Sequence, residues 1–266
     1  DLTVGQCDEF LRQAAARHYG RRPIGLAHLR KLRQYLVAVL RNEVRVGNLG
    51  RNVAELAQLP PVDPSDGRRR ALTRLELRAL LEAATGSRLI LIDLMGRNGL
   101  RPAEARGLLW SDVDLRRCEL SVTGQLDRRG NRTSPKTATA ARTIQLDATT
   151  IGRLKAWHDE QSEMRSRAGA FWEDQGIVAS TSHGTPVDRH SLARSLRLLC
   201  RQVGIDPAVT PYELRHTAIS MQADAGRSSW ELSDWAGTSE AMINRIYRHR
   251  LRRVSTVTPV DEWEDD

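Results

Sequence analysis

Two arginines, one lysine and one late tyrosine carry the chemical content of this 266-residue chain. Arg101 sits in Gly99-Leu100-Arg101-Pro102-Ala103-Glu104, and Leu109-Trp110-Ser111-Asp112-Val113 follows it. Lys136 sits in Ser134-Pro135-Lys136-Thr137, with Arg142-Thr143-Ile144 downstream. Arg215 belongs to Tyr212-Glu213-Leu214-Arg215-His216-Thr217. Tyr247 belongs to Ile246-Tyr247-Arg248-His249 and comes nine residues after Thr238 of Ala236-Gly237-Thr238. Side chains of these types can together break a phosphodiester without a metal. The reaction needs an in-line nucleophile, positive charge over the phosphate oxygens in the pentacoordinate transition state, and a proton donor for the departing 5′ oxygen. Arginine offers permanent charge and a fork that spans two oxygens. Lysine can give a proton. Tyrosine can attack phosphorus, and the resulting ester conserves bond energy, so rejoining needs no ATP.

Bulk properties favour a polyanionic partner. The net charge is +8 and the sequence pI is near 10.1, a balance that suits nucleic acid or an anionic membrane surface. The cations are nearly all arginine; the lysines are Lys31, Lys136 and Lys155. Arginine enrichment has two readings, a GC-rich genome or a need for bidentate phosphate contacts. Cys7, Cys118 and Cys200 are too widely spaced for a metal pattern or a disulfide framework and fit a reducing cytosol. Neither a metal nor a cofactor is expected. No apolar stretch approaches a membrane span; the longest run, Leu89 to Met95, is interrupted by Asp93 and reads as a buried helix. There is no signal-peptide pattern. The chain begins with Asp rather than Met, and an N-terminal segment is expected to be missing.

The fold class read from these patterns is mainly α with a small antiparallel β-sheet. Residues 1–58 read as helical: Leu29, Leu32, Leu36, Val39 and Leu40 recur at helical spacing, with Arg30, Arg33, Arg41 and Arg45 largely off that stripe. Those arginines form either a solvated face or a face that tracks a DNA backbone. Residues 59–70 have linker composition and end in Arg68-Arg69-Arg70, which either cross phosphates or simply aid solubility. Thr73-Arg74-Leu75-Glu76 has capping-box form and opens a helix that stops near Gly86. A second helix covers Leu89 to Arg97. Gly99 breaks it, and Pro102 opens a short helix that places Arg101 at its entrance. Two strands, around Cys118–Val122 and Thr143–Leu146, are joined by a long loop carrying Lys136. Ile151, Leu154 and Trp157 mark another helix. Ile177-Val178-Ala179 reads as a short strand, with a turn at His183-Gly184. Further helices are expected over Leu192–Val203, 212–224, 229–236 and 239–247, before an acidic tail over 251–266.

Taken together, Gly99–Glu104 with Leu109–Val113, Pro135-Lys136-Thr137, Leu214-Arg215-His216-Thr217 and Ala236-Gly237-Thr238 with Tyr247 resemble the tyrosine recombinase (phage integrase) family. The resemblance runs over roughly residues 25–250 and implies several things. Arg101 and Arg215 would clamp the scissile phosphate, Lys136 would protonate the 5′ oxygen, and Tyr247 would attack phosphorus and hold the 3′ phosphate. Glu104 would buttress the Arg101 loop, with Trp110 and Asp112 completing that motif. His216 and His249 would be structural. Tyr212 and Thr238 stand where the family commonly has histidine. A phenol is a poor proton acceptor at neutral pH, and the Thr238 hydroxyl would reach phosphate through water. The expected active site is slower but functional.

The same resemblance implies a helical core-binding domain over 1–58 and a catalytic domain over 71–250, closing as a C-shaped clamp on duplex DNA. It implies four protomers on two recombination sites, accessory DNA-bending proteins, and a tail that either docks on a neighbour or is disordered. The expected function is site-specific recombination for a mobile element in the cytoplasm, associated with the bacterial nucleoid and without a membrane partner. The alternative is a weakened or inactive protein of the same fold that only binds DNA. A basic RNA- or ribosome-associated protein is a third reading, supported by charge alone.

Overall fold

The computed structural model describes residues 2–19, 22–61, 70–134, 141–247 and 251, with side chains left aside at 18, 19, 22 and 23. Lys136, Arg68, Arg69, His249 and the acidic tail lie outside the described residues. The chain divides into two compact units, residues 1–69 and 70–266. The division falls at the end of the stretch whose composition suggested a linker.

In the first unit, α1 (Val4–Ala16) opens on a capping box made by Thr3 and Gln6. β1 (His18–Tyr19) pairs antiparallel with β2 (Arg22–Pro23), a ladder the sequence reading did not include. α2 (Leu26–Arg45) follows, then a 3-10 turn at Val53–Glu55. Cys7, Leu11, Leu40, Val53, Ala54 and Ala57 form a core, with Leu32, Leu36 and Val37 packed against it. Val39, expected on the buried stripe, is 59% exposed. Successive helical residues turn by about 100°, so Leu40 returns to the face of Leu29 and Leu36 while Val39 is left to one side.

The second unit begins with α3 (Arg74–Ala83). Its capping box is the one expected: the Thr73 side chain accepts from Glu76 N, and Glu76 accepts from Thr73 N. α4 (Gly86–Gly96) starts three residues before the expected Leu89 and is buried from Ile90 through Gly96. Asp93 lies inside it at 1% exposure, paired with Arg97 and Arg153 at 3.1 Å each. Burial pushes its carboxyl above the usual range against those two charges. α5 (Pro102–Arg106) has Pro102 in its first turn, as read from the sequence.

β3 (Val113–Asp114), β4 (Glu119–Val122), β5 (Gln125–Leu126), β6 (Arg132–Thr133) and β7 (Arg142–Gln145) follow. β3, β4 and β7 form an antiparallel sheet in that order, with Leu120 opposite Ile144. β5 and β6 form a separate ladder inside the stretch read as loop. The helices are then α6 (Ala148–Ala168), α7 (Arg189–Gln202), α8 (Pro211–Asp224), α9 (Ser229–Ala236) and α10 (Glu240–Tyr247). The segment Ile177–Ala179 is not a strand. A single bridge joins Leu109 and Ile177, with Trp110 N donating to Gly176 O and Val178 N to Leu108 O. All three side chains are buried in succession, so packing holds this segment, without the alternation of a half-buried strand.

The core of this unit gathers α3, α4, the central strands, α6, α7 and α8 around Leu80, Ile90, Leu91, Leu94, Leu120, Ile144, Leu154 and Leu196. Each such side chain contributes roughly 1.5–3 kcal/mol by leaving water. A smaller cluster joins Ile219 and Ala223 of α8, Leu232 and Ala236 of α9, and Ile243 and Tyr247 of α10. Among the described residues no helix is long and apolar enough to cross a membrane.

Candidate active site

Arg101 is brought to Arg215 by backbone conformation as much as by side-chain contact. After α4 the chain turns at Gly99 with φ +67°, a left-handed conformation that a side chain would strain. A Cβ at Gly99 would also lie 2.7 Å from the Trp235 indole. The turn presents the Gly99 carbonyl to Arg215, whose Nη1 donates to it at 2.5 Å. Arg215 Nη2 donates to Ala236 O at 2.7 Å. Gly237 caps α9 with φ +61°, and its carbonyl accepts from Arg101 Nη2. The glycines of the Gly99–Glu104 and Ala236–Thr238 motifs therefore allow two carbonyls and two guanidinium groups to meet.

Glu104 sits beneath this arrangement at 3% exposure. It accepts from Arg101 N at 2.8 Å, from Arg101 Nη1 at 2.6 Å and from Arg142 Nη2 at 3.0 Å; Arg215 Nη1 is 4.0 Å away. Burial pushes its carboxyl up, but the Arg142 and Arg101 charges and hydrogen bonds outweigh that and hold it below the usual carboxylate range. Arg142 also donates Nε to Trp235 O at 2.8 Å. One carboxylate thus serves three arginines, leaving a positive excess, while the Arg101 side chain keeps 28% of its surface open. Arg215 is 7% exposed, and its guanidinium is pushed down to about 9, first by burial and then by Arg101 and Arg142, with Glu104 and Tyr247 opposing. It remains charged at neutral pH.

Tyr247 ends α10 at 4% exposure, within the apolar cluster of α8, α9 and α10. Its hydroxyl lies 2.6 Å from His216 Nδ1, and the two rings are 4.9 Å apart at 37°. His216 follows Arg215 directly on α8, so one helix carries both this buried arginine and the group that touches the phenol. The two motif residues Trp110 and Asp112 anchor the turn after α5. Trp110 Nε1 donates to Gln161 at 2.6 Å, and Asp112 accepts from Leu109 N at 3.0 Å and from Arg132 at 3.0 Å.

The structure brings Arg101, Arg215 and Tyr247 of the expected set together, with Thr238 next to Gly237. Thr238 is half-buried, and its amide donates to Ser233 O at 3.0 Å. Tyr212 is 50% exposed in the first turn of α8, and it is His216, taken from the sequence as structural, that meets Tyr247. Arg142 received no role from the sequence; its place just after the Lys136 loop, on a strand paired to β4, was the available signal. Of the arginines expected on DNA, Arg30 is exposed, Arg33 donates to Glu55 O at 2.8 Å, and Arg70 forms a bidentate pair with Glu76. Among the described residues no group of three or more His, Cys, Asp or Glu is placed to hold a metal.

Residues 70–253 match the family model described as the phage integrase family. An integrase from Streptomyces ambofaciens is 32% identical over 96% of this chain and 66% of its own length. A XerC-like tyrosine recombinase from Caldanaerobacter subterraneus is 28% identical over 68% of this chain and 50% of its own. The chain thus spans about half to two thirds of the length of these relatives. Among solved structures, the Tn1549 transposon integrase in complex with transposon right end DNA shares the fold, with a TM-score of 0.76 at 16% identity over 93% of this chain and 81% of that one. The helical fold with its small antiparallel sheet, the motif spacing and the family match agree: this chain belongs to the phage integrase family of tyrosine recombinases.

Proposed function

We propose that the protein is a site-specific recombinase of a mobile element that cuts and rejoins duplex DNA through a 3′-phosphotyrosyl intermediate. The observation that carries this reading is the convergence of Arg101 and Arg215 on the Gly99, Ala236 and Gly237 carbonyls, with the Tyr247 hydroxyl held on the helix that bears Arg215. Arg101 and Arg215 grip the two non-bridging oxygens. Tyr247 attacks in line, and Lys136 gives its proton to the 5′ oxygen. Losing one such arginine removes about 3–4 kcal/mol of transition-state stabilisation, by analogy with other oxyanion donors. The integrases that this chain resembles, and a Tn1549 integrase solved with DNA, support a mobile-element role and a duplex-DNA partner. Residues 1–58 would bind the core site. Assembly on two sites as a tetramer, accessory bending proteins and a place at the nucleoid belong to the same proposal.

A pool of nicked suicide duplexes with randomised inner sequence tests it. Wild-type protein is expected to leave a covalent protein–DNA adduct on denaturing gels, lost in Tyr247→Phe, while both retain a salt-sensitive mobility shift. A shift without an adduct in the wild type would leave only a DNA-binding protein of this fold.

A further inference from the structure

The Tyr247 hydroxyl meets His216, which is not the residue at the position where the family commonly has histidine. We propose that His216 is a catalytic residue: its Nδ1 takes the phenolic proton as Tyr247 attacks phosphorus. The inference rests on the recombinase reading above.

The geometry is specific. His216 Nδ1 and the Tyr247 hydroxyl are 2.6 Å apart, within the normal range for a strong O–H···N contact. In the tautomer that carries its hydrogen on Nε2, Nδ1 is the acceptor and the phenol is the donor. The tilted stacking of the two rings fixes the hydroxyl against that nitrogen. Tyr247 packs in the apolar cluster of Ile243, Leu232, Ala236 and Ile219, which holds its ring in place. Tyr212, four residues earlier on the same helix, is half-exposed, and a phenol cannot serve as a base near neutral pH. Among the described residues, the charged groups here include Arg215 on the same helix, with Arg101 and Glu104 at α5 and Arg142 on β7 around it. Their net positive charge favours phenolate in the transition state, and Tyr247 in turn favours the charged form of Arg215.

The step balances. The Tyr247 Oη–P bond forms as the P–O5′ bond breaks, the phenolic proton moves to His216 Nδ1, and the 5′ oxygen receives a proton from the general acid, the role proposed for Lys136. On rejoining, the imidazolium returns its proton to the departing phenol, so His216 is restored without any co-reactant.

Three variants separate proton transfer from simple positioning. His216→Ala removes both. His216→Asn keeps an acceptor near the Nδ1 position but not a base. Tyr247→Phe removes the nucleophile. On the same duplex pool, His216→Ala and His216→Asn are expected to form adduct about 10²- to 10⁴-fold more slowly than wild type, the range for one general base. Their salt-dependent shift and thermal unfolding should stay close to wild type. Added imidazole should accelerate His216→Ala and leave Tyr247→Phe inactive. An Asn variant as fast as wild type, or an Ala variant that imidazole does not help, overturns the inference while leaving the recombinase reading intact. No adduct from the wild-type chain overturns both.

Discussion

Arg142 and Glu104 form an ion pair at 3.0 Å in which both side chains are almost wholly withdrawn from water, at 5% and 4% exposure. Each holds a group of the proposed phosphate site. Glu104 orients Arg101, and Arg142 ties the carboxylate to the Trp235 carbonyl next to Ala236 and Gly237. The pair links the entrance of α5 to the end of α9, and so helps set the distance between Arg101 and the turn at Ala236 and Gly237.

Cutting that pair should cost more than a surface bridge. Removing one member of a buried ion pair strands the other and typically destabilises by about 3–5 kcal/mol. Arg142→Met and Glu104→Gln are each expected to fall in that range in denaturant unfolding, and the double variant should cost less than their sum. Additive costs, or a loss below about 1 kcal/mol for Arg142→Met, would show that the pair does not act as a unit.

Gly99 offers a contrast with a glycine that has room. Gly99→Ala combines a left-handed residue with a Cβ 2.7 Å from Trp235, whereas Gly130 has φ +89° and nothing within 4 Å. Backbone strain of this kind costs about 1–3 kcal/mol. Gly99→Ala is expected at or above the top of that range and Gly130→Ala at the bottom. Thermal unfolding of both variants decides it; equal shifts would mean that the Trp235 contact relaxes freely.

Local signals made much of this fold legible in the sequence. The Thr73–Glu76 box, Pro102 after Gly99, and the stripe Leu192–Leu196–Leu199 each specify a helix by short-range chemistry, and those helices are present. The strands of the β5–β6 ladder are two residues long, too short for an alternation to mark them, and the buried segment Ile177–Ala179 depends on Leu108 and Leu109, distant in sequence, which a short apolar run does not reveal. The site divides in the same way. Arg101 and Arg215 stand in motifs whose glycines and helix starts are visible. His216 and Arg142 become functional candidates only through contacts with Tyr247 and Glu104, across α8–α10 and β7–α5. Val39 shows the limit of a periodicity argument, since one position off the stripe changed a core residue to a surface one.

Acid should weaken the start of α3. The Arg70 hydrogen bond, followed by those from Thr73, outweighs burial and holds the Glu76 carboxyl down at about 2, from an ordinary value of 4.5. A carboxyl with a depressed folded-state value stabilises the fold above its unfolded value, and that stability is lost as the pH falls. The stability difference between wild type and Glu76→Gln should therefore be constant above about pH 4.5 and shrink between pH 4.5 and 2. The pair is partly solvent-exposed, so added salt should reduce the difference at neutral pH. A pH-independent difference would assign Glu76 a capping role that does not need its charge.

Tyr212 provides the sharpest comparison with His216, because both lie on α8 and His216 meets the Tyr247 hydroxyl at 2.6 Å. A half-exposed aromatic in the first helical turn contributes little to the core, so Tyr212→Phe should change stability by no more than about 0.5 kcal/mol. If its hydroxyl donates one hydrogen bond to the phosphate, the loss amounts to about 0.5–1.5 kcal/mol, or roughly a tenfold slower adduct at most. That is at least an order of magnitude less than the loss expected for His216→Ala. Adduct rates for the two variants on the same duplex pool make the comparison. Equal losses would show that His216 contributes no more than a single hydrogen bond does and leave its contact with Tyr247 as packing.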